Sequence, residues 1–241
     1  KYLRGQHILL SVKPDASPEE TLKAYTRAVD IIRRAKAGER FDSLVIENSE
    51  DPSAKMNQGD LYYFTGGDMV KPFEDVAFSL KEGEISPVPA HSVFDYHIVK
   101  ILDVEPTRSV KVRHIMARFQ SQPPDSADSA SALSRIQGIR DSLKKGWNFG
   151  ELAVKLSEDV GSAPQGGDLG WFERRRFVQP FDEAAFGLKV GQTSDIVHTP
   201  FGFHIIRCDS SRGTLPFDDV RDELKKLYQL HQHHHFLQHS N

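Results

Sequence analysis

A single cysteine, Cys208, stands among 241 residues, so no disulfide can brace this chain from within. One thiol does not by itself assign a compartment. Long hydrophobic runs are missing too: none approaches the ~20 residues that a membrane-spanning helix needs. Charge of one sign is not in excess, since 31 Lys and Arg face 34 Asp and Glu for a net −3 and an isoelectric point near 6.4. That balance offers no general attraction to nucleic acid or to an anionic membrane. There is no G-x-S-x-G elbow and no phosphate-loop glycine spacing, which removes the usual signatures of a serine hydrolase and a nucleotide-binding loop. The chain starts at Lys1 with no charged and apolar leader, as expected of a cytosolic protein or of a processed or trimmed piece.

What is present is ordinary in composition, with 38% hydrophobic and 27% charged residues. The length suits two compact domains, each large enough to bury a core. A repeat organises them. Residues 157–172, SEDVGSAPQGGDLGWF, restate residues 49–64, SEDPSAKMNQGDLYYF. His7 answers His114 (114 − 7 = 107), Asp60 answers Asp168 (168 − 60 = 108), and Asp51, Phe64, Phe73, Phe78 and Gly83 answer Asp159, Phe172, Phe181, Phe186 and Gly191 at the same 108. The offset returns to 107 where residues 94–99, FDYHIV, answer residues 201–206, FGFHII. Two one-residue length changes over such a span mark a duplicated folded unit, and the period is too long for a solenoid.

Periodicity gives the unit its elements. Ile8, Leu10 and Val12 alternate as in a half-buried strand, and residues 15–20, DASPEE, supply an N-cap and a first-turn proline. Leu22, Tyr25, Val29 and Ile32 continue at helical spacing to a stop at Gly38; Leu133, Ile136, Ile139 (or Arg140) and Leu143 do so up to Gly146. A short second helix, an acid-bearing loop, a strand at 60–64 or 168–172, a helix at 72–78 or 180–186, and two strands follow. The unit reads β-α-α-β-α-β-β, an α+β domain on a small four-stranded antiparallel sheet. Domains are expected at 1–105 and 109–210, joined through Val104-Glu105-Pro106-Thr107-Arg108. Residues 214–241 form a third segment, in which Val220, Leu224, Leu227 and Tyr228 predict an amphipathic C-terminal helix.

Each unit places one histidine on its first strand, another on its last, and an aspartate in the loop between. In the second unit these are His114, His204 and Asp159, with Thr199 five residues before His204. First and last strands lying side by side would bring both rings to one face. A Ser157-His114-Asp159 hydrolase is discounted, because Ser157 sits two residues from Asp159 in a loop where Ser157, Asp159 and Ser162 can each bond the backbone and brace a turn.

The set of H-I-[LM], S-x-D before G-D-L, P-F-x-x-[AV]-x-F and F-G-[FY]-H-I-I, in that order and twice, resembles the parvulin peptidyl-prolyl cis-trans isomerases. Tandem units with a closing helix, and the spelling S-x-D-x-G-S-A-x-Q-G-G-D-L-G-W, are similar to the SurA-like periplasmic foldase and chaperone branch. The resemblance covers all but the last ~30 residues. It implies that His114, Asp159, Thr199 and His204 form the polar catalytic group of the second unit, and that Leu169, Phe177 and Phe181 hold the proline ring. In the first unit the matching positions are His7, Asp51, Ser92 and His97, with Leu61, Met69 and Phe73. It further implies extended or unfolded proline-containing polypeptides as partners, a periplasmic location, and neither cofactor nor metal.

The chemistry suits these residue types. Rotation about an X-Pro bond crosses a barrier of ~20 kcal/mol because the amide loses its resonance midway, and no covalent bond breaks. A catalyst needs a slot for the ring and a polar field that favours the twisted amide. The glycines of residues 157–172 are expected to let backbone run close under the substrate. The units differ: Gly166-Gly167-Asp168-Leu169-Gly170-Trp171 faces Gln58-Gly59-Asp60-Leu61-Tyr62-Tyr63, and Asp95 stands where the second unit has Gly202. The second unit is therefore expected to be the better catalyst, with the first mainly binding chains. A non-catalytic chaperone using both grooves is the alternative. Arg174-Arg175-Arg176 reads as a solvated turn, or more sharply as an anionic contact at the slot's rim. His231, His233, His234, His235 and His239 read as a tail unrelated to function, with metal binding the alternative.

Overall fold

The computed structural model describes residues 1–93 and 95–213. The first unit runs β1 (Tyr2–Ser11), α1 (Pro18–Lys36), α2 (Phe41–Asn48), α3 (Ala54–Asn57), β2 (Asp60–Phe64), α4 (Lys71–Ala77), β3 (Ala90–His91) and β4 (Asp95–Glu105). The second repeats it as β5 (Arg108–Arg118), α5 (Ser126–Lys144), α6 (Phe149–Leu156), a 3₁₀ turn (Ala163–Gln165), β6 (Asp168–Phe172), α7 (Gln179–Gly187), β7 (Val197–Thr199) and β8 (Gly202–Gly213). Two antiparallel sheets result, with strand orders β2-β1-β4-β3 and β6-β5-β8-β7. The α+β reading holds, and one turn of helix is added in each acid-bearing loop. The expected C-terminal helix and the histidine-rich tail lie outside the described residues.

Local signals set the helix starts. Ser17 and Glu20 close a capping box ahead of Pro18, while Asp125 and Asn148 cap α5 and α6 by accepting from the backbone N–H three residues on. Strand alternation then divides each unit into two cores. In the first, Ile8, Leu10, Tyr96 and Ile98 pack under α1 and α2, while Leu3, Val99 and Ile101 face Phe73 and Ala77 of α4. In the second, Ile115 and Ile205 pack under α5 and α6, while Val110, Val112, Ile206 and Cys208 face Phe181 and Ala185 of α7. Since side chains alternate along a strand, His114 and His204 fall on the α7 face.

The inward face of α1 differs from the expected stripe. Ala28, Ile31, Ile32 and Ala35 are buried, whereas Leu22, Tyr25 and Val29 stay exposed. A small-residue face lets the helix approach the sheet closely, so alanine occupies positions the larger side chains would have had to fill.

Candidate active site

The first and last strands of each unit are neighbours, and their register sets the histidine pair. His114 lies opposite Ile206 and His204 opposite Met116, so the two rings are diagonal neighbours on one face. Their centroids are 5.4 Å apart and their planes 16° from parallel. His7 and His97 repeat this with Val99 and Leu9 as partners, at 5.8 Å and 13°.

In the second unit an unbroken hydrogen-bonded chain crosses the pair. His114 Nε2 is 2.7 Å from Asp159 Oδ2 and 3.1 Å from Ser162 Oγ, His114 Nδ1 is 3.2 Å from His204 Nδ1, and His204 Nε2 is 2.9 Å from Thr199 Oγ1. Ser162 also donates directly to Asp159. Burial lowers the pKa of His114 more than Asp159 raises it, and burial beside His114 lowers His204 to about 3. Burial pushes the Asp159 carboxyl up, but donors from Ser162, His114 and Gly161 outweigh it and leave it below its ordinary value. Both rings are thus neutral at pH 7 beside an ionised carboxylate. One assignment of protons satisfies this chain: His114 donates from Nε2 to Asp159, His204 donates from Nδ1 to His114, and Thr199 donates to His204 Nε2 at 2.9 Å in preference to Gly202 O at 3.3 Å.

An apolar slot abuts this chain. Phe181, 3% exposed, meets His114 and His204 edge-on at 5.6 and 5.4 Å. Phe177 leans on Phe181 at 4.9 Å, and Leu169 and Phe177 are half-buried against the same core. In the first unit Phe73 meets His7 and His97 at 6.2 and 5.6 Å, with Leu61 and Met69 packed alongside. Every residue expected at the two sites is therefore brought together within its own unit.

The units nevertheless differ in their polar groups. His7 Nε2 is 2.8 Å from Asp51 Oδ2, and His97 Nε2 is 3.2 Å from Ser92 Oγ. Between the rings the chain is broken: His7 Nδ1 and His97 Nδ1 are buried and find no hydrogen-bond partner. Burial and His7 lower the His97 pKa to about 4. Ser162 has no equivalent, because Ala54 occupies the aligned position (162 − 108 = 54), and Ser53 instead braces the far oxygen of Asp51 at 2.9 Å. Sequence reasoning takes Ser162 for a turn-bracing residue and misses its bond to the histidine. The signal is the mismatch with Ala54.

Two further expectations are corrected. Gly167, at φ +80, hydrogen-bonds His114 N–H through its carbonyl at 2.8 Å, and a Cβ there would sit 2.1 Å from His114 O. The glycine lets backbone pass against the histidine's own strand rather than under a substrate. Gly59 repeats this, its carbonyl accepting from His7 N–H at 3.0 Å. Arg174 is neither solvated nor at a rim. It is 9% exposed and joins Glu105, Tyr62 of the first unit and Asp182 of α7. Gly202 (φ +148) requires glycine, since a Cβ would meet Ala117 O at 2.2 Å, while Asp95 takes the equivalent place opposite Ser11.

Among the described residues no helix is long and apolar enough to cross a membrane, and no cluster of His, Cys, Asp and Glu is suited to hold a metal.

Two matches to one family, the PPIC-type PPIase domain, cover residues 7–103 and 103–212. The chain is similar to the chaperone SurA of Methylococcus capsulatus, 35% identical over 230 residues, covering 91% of this chain and 49% of that protein. It is 33% identical to the chaperone SurA of Chromohalobacter salexigens, covering 91% and 51%. The chain thus spans about half the length of these relatives. Among solved structures, the peptidylprolyl isomerase PrsA of Bacillus anthracis matches at 33% identity and TM-score 0.39, over 50% of this chain and 49% of that one.

Proposed function

Because the chain belongs to the PPIC-type peptidyl-prolyl isomerase family, with one domain in each half, we propose that it accelerates cis–trans isomerisation of X-Pro bonds in extended or unfolded polypeptide. The mechanism is non-covalent and the second unit is the main catalyst. The observation that carries this reading is the contact between slot and chain: Phe181 touches both histidines of a continuous, neutral, fully bonded network.

The geometry supplies what the reaction lacks in water. A prolyl ring seated on Leu169, Phe177 and Phe181 fixes one side of the bond while the other side turns. Leaving water for that slot disfavours the planar amide, whose dipole water solvates well, more than the twisted one. The histidine pair, held neutral, presents no charge for the planar carbonyl to lock onto, and its orientation is fixed from both ends by Asp159 and Thr199. Each tenfold gain in rate requires about 1.4 kcal/mol of preference for the twisted form, which a few such contacts supply.

A chaperone role for exported chains accompanies this reading, supported by the SurA relatives and by the first unit, whose slot persists while its histidine chain is interrupted. That role implies a location outside the cytoplasm, with unfolded polypeptides as partners. The test is exchange NMR on short X-Pro peptides: the chain is expected to broaden and merge the cis and trans resonances. Binding of unfolded polypeptide without any such exchange would leave the chaperone role alone.

A further inference from the structure

Asp182 is completely buried, one residue after Phe181 on α7, and three donors converge on it. Tyr62 of the first unit donates its hydroxyl at 2.5 Å, Arg174 donates from Nη1 at 3.1 Å, and the backbone N–H of Arg175 donates to the other carboxylate oxygen at 2.9 Å. Arg174 also reaches Tyr62 Oη at 2.9 Å and forks onto Glu105 at 2.8 and 3.0 Å, with its guanidinium 3.8 Å from the Tyr63 ring centre. A buried charged group of this kind persists only when its partners are all in place.

Tyr62 sits in a backbone conformation unfavourable for a side chain, in a turn where its N–H donates to Asp60 Oδ1 at 2.8 Å. Its φ is +61°, and at the aligned position the second unit has Gly170 at φ +69° (170 − 108 = 62). A side chain in that region costs on the order of 1 kcal/mol. Its side chain finds its hydrogen bonds in the other unit, at Asp182 and Arg174. Arg175, at φ +69°, is held by Asp182 in the same way. The residue aligned with Asp182 in the first unit, Glu74, bonds instead to its own loop, at Gly67 N (2.7 Å) and Met69 N (3.1 Å). The first slot's loop is braced from within its unit, whereas the second keeps the matching bond, Arg175 N–H to Asp182, and adds Tyr62 from across the boundary. Arg175 and Asp68 also bring the two slot loops together at 3.7 Å.

We infer that the first unit completes the second unit's proline slot: Tyr62 and Arg174 are positioning residues that act through Asp182 to set residues 173–177 and Phe181 against His204. This rests on the isomerase reading above. Neither residue touches the reacting bond. Their effect is on how well the slot fits the ring, and so on KM more than on kcat.

The experiment uses the whole chain, comparing Tyr62→Phe, Arg174→Lys and, as a control contact across the same boundary, Glu183→Gln, which loses its pairing with Arg4 at 3.3 Å but leaves the donors on Asp182 intact. Two readouts are taken: kcat and KM for an X-Pro peptide, and the hydrogen-exchange rate of the Arg175 amide. Tyr62→Phe is expected to raise KM about fivefold with kcat within about twofold, and to speed Arg175 exchange about tenfold. Arg174→Lys, which keeps the charge but loses the fork, should raise KM similarly, and Glu183→Gln should move neither quantity. Unchanged KM and exchange in Tyr62→Phe, or an equal effect from Glu183→Gln, would overturn the inference. If the parent chain does not catalyse at all, the isomerase reading falls and Arg175 exchange alone decides the inference.

Discussion

His204 is uncharged at neutral pH, and that fixes how the site answers to acidity. Its folded pKa of about 3 lies below the ordinary histidine value, because burial and the neighbouring His114 both penalise the charge. Between roughly pH 6.5 and 3 the unfolded chain therefore binds a proton that the folded chain does not, so this contribution to stability is whole above pH 6.5 and is lost as pH falls. At pH 5 the loss from His204 alone is about 2 kcal/mol. Urea unfolding at pH 7 and pH 5 should show this drop in the parent and a drop smaller by about that amount in His204→Asn; equal drops would mean that His204 is charged or exposed. The same neutrality predicts that kcat/KM stays flat from pH 6 to 8, and an inflection near 6.5 would contradict the assignment. Ser162→Ala removes a donor to Asp159 and an acceptor for His114 Nε2, and should lower kcat/KM by about tenfold, measured on an X-Pro peptide. The histidines, Asp159 and Thr199 are legible in the sequence because the two halves repeat them, or a close substitute, at a near-constant offset. Ser162 shows only as a mismatch with Ala54, because a bond made by one half alone is not marked by a repeated residue.

The loop entering β6 and the strand β5 fit together through a single glycine. Gly167→Ala drives a methyl into the His114 carbonyl, at a φ that alanine rarely adopts, and should cost about 3 kcal/mol or more. Gly170→Ala keeps the positive φ but meets open space, and should cost only about 1 kcal/mol. Urea midpoints of the two variants measure the difference; equal costs would show that backbone conformation alone, rather than contact with the histidine strand, sets the requirement. Strands, caps and helix order are legible from alternation, Ser17-Pro18 and the Gly38 stop. The buried face of α1 is not, since Ala28 and Ala35 carry little hydropathy and the larger Leu22, Tyr25 and Val29 imitate a core stripe of the same period. Arg174 misleads for a related reason: three consecutive arginines look solvated on any sequence scale, and the groups that bury one of them lie 112 and 69 residues away in the chain.

At the scale of the molecule, the duplication is visible in the sequence itself because its offset of 107 to 108 persists across a whole domain. The joining of the units is not, since Tyr62, Glu105, Arg174 and Asp182 share no period and meet only once both domains are folded. Duplication followed by divergence accounts for the asymmetry. One half keeps a closed hydrogen-bonded chain at its histidines, while the other keeps the slot, loses the bond between its rings, and lends Tyr62 to its neighbour. The central claim is that turnover belongs to the second unit, and it is tested most directly by exchange NMR on an X-Pro peptide with the whole chain carrying either His204→Asn or His97→Asn. The account predicts that His204→Asn lowers the exchange rate by about tenfold or more while His97→Asn leaves over half of it. Equal losses, or a larger loss from His97→Asn, would contradict it.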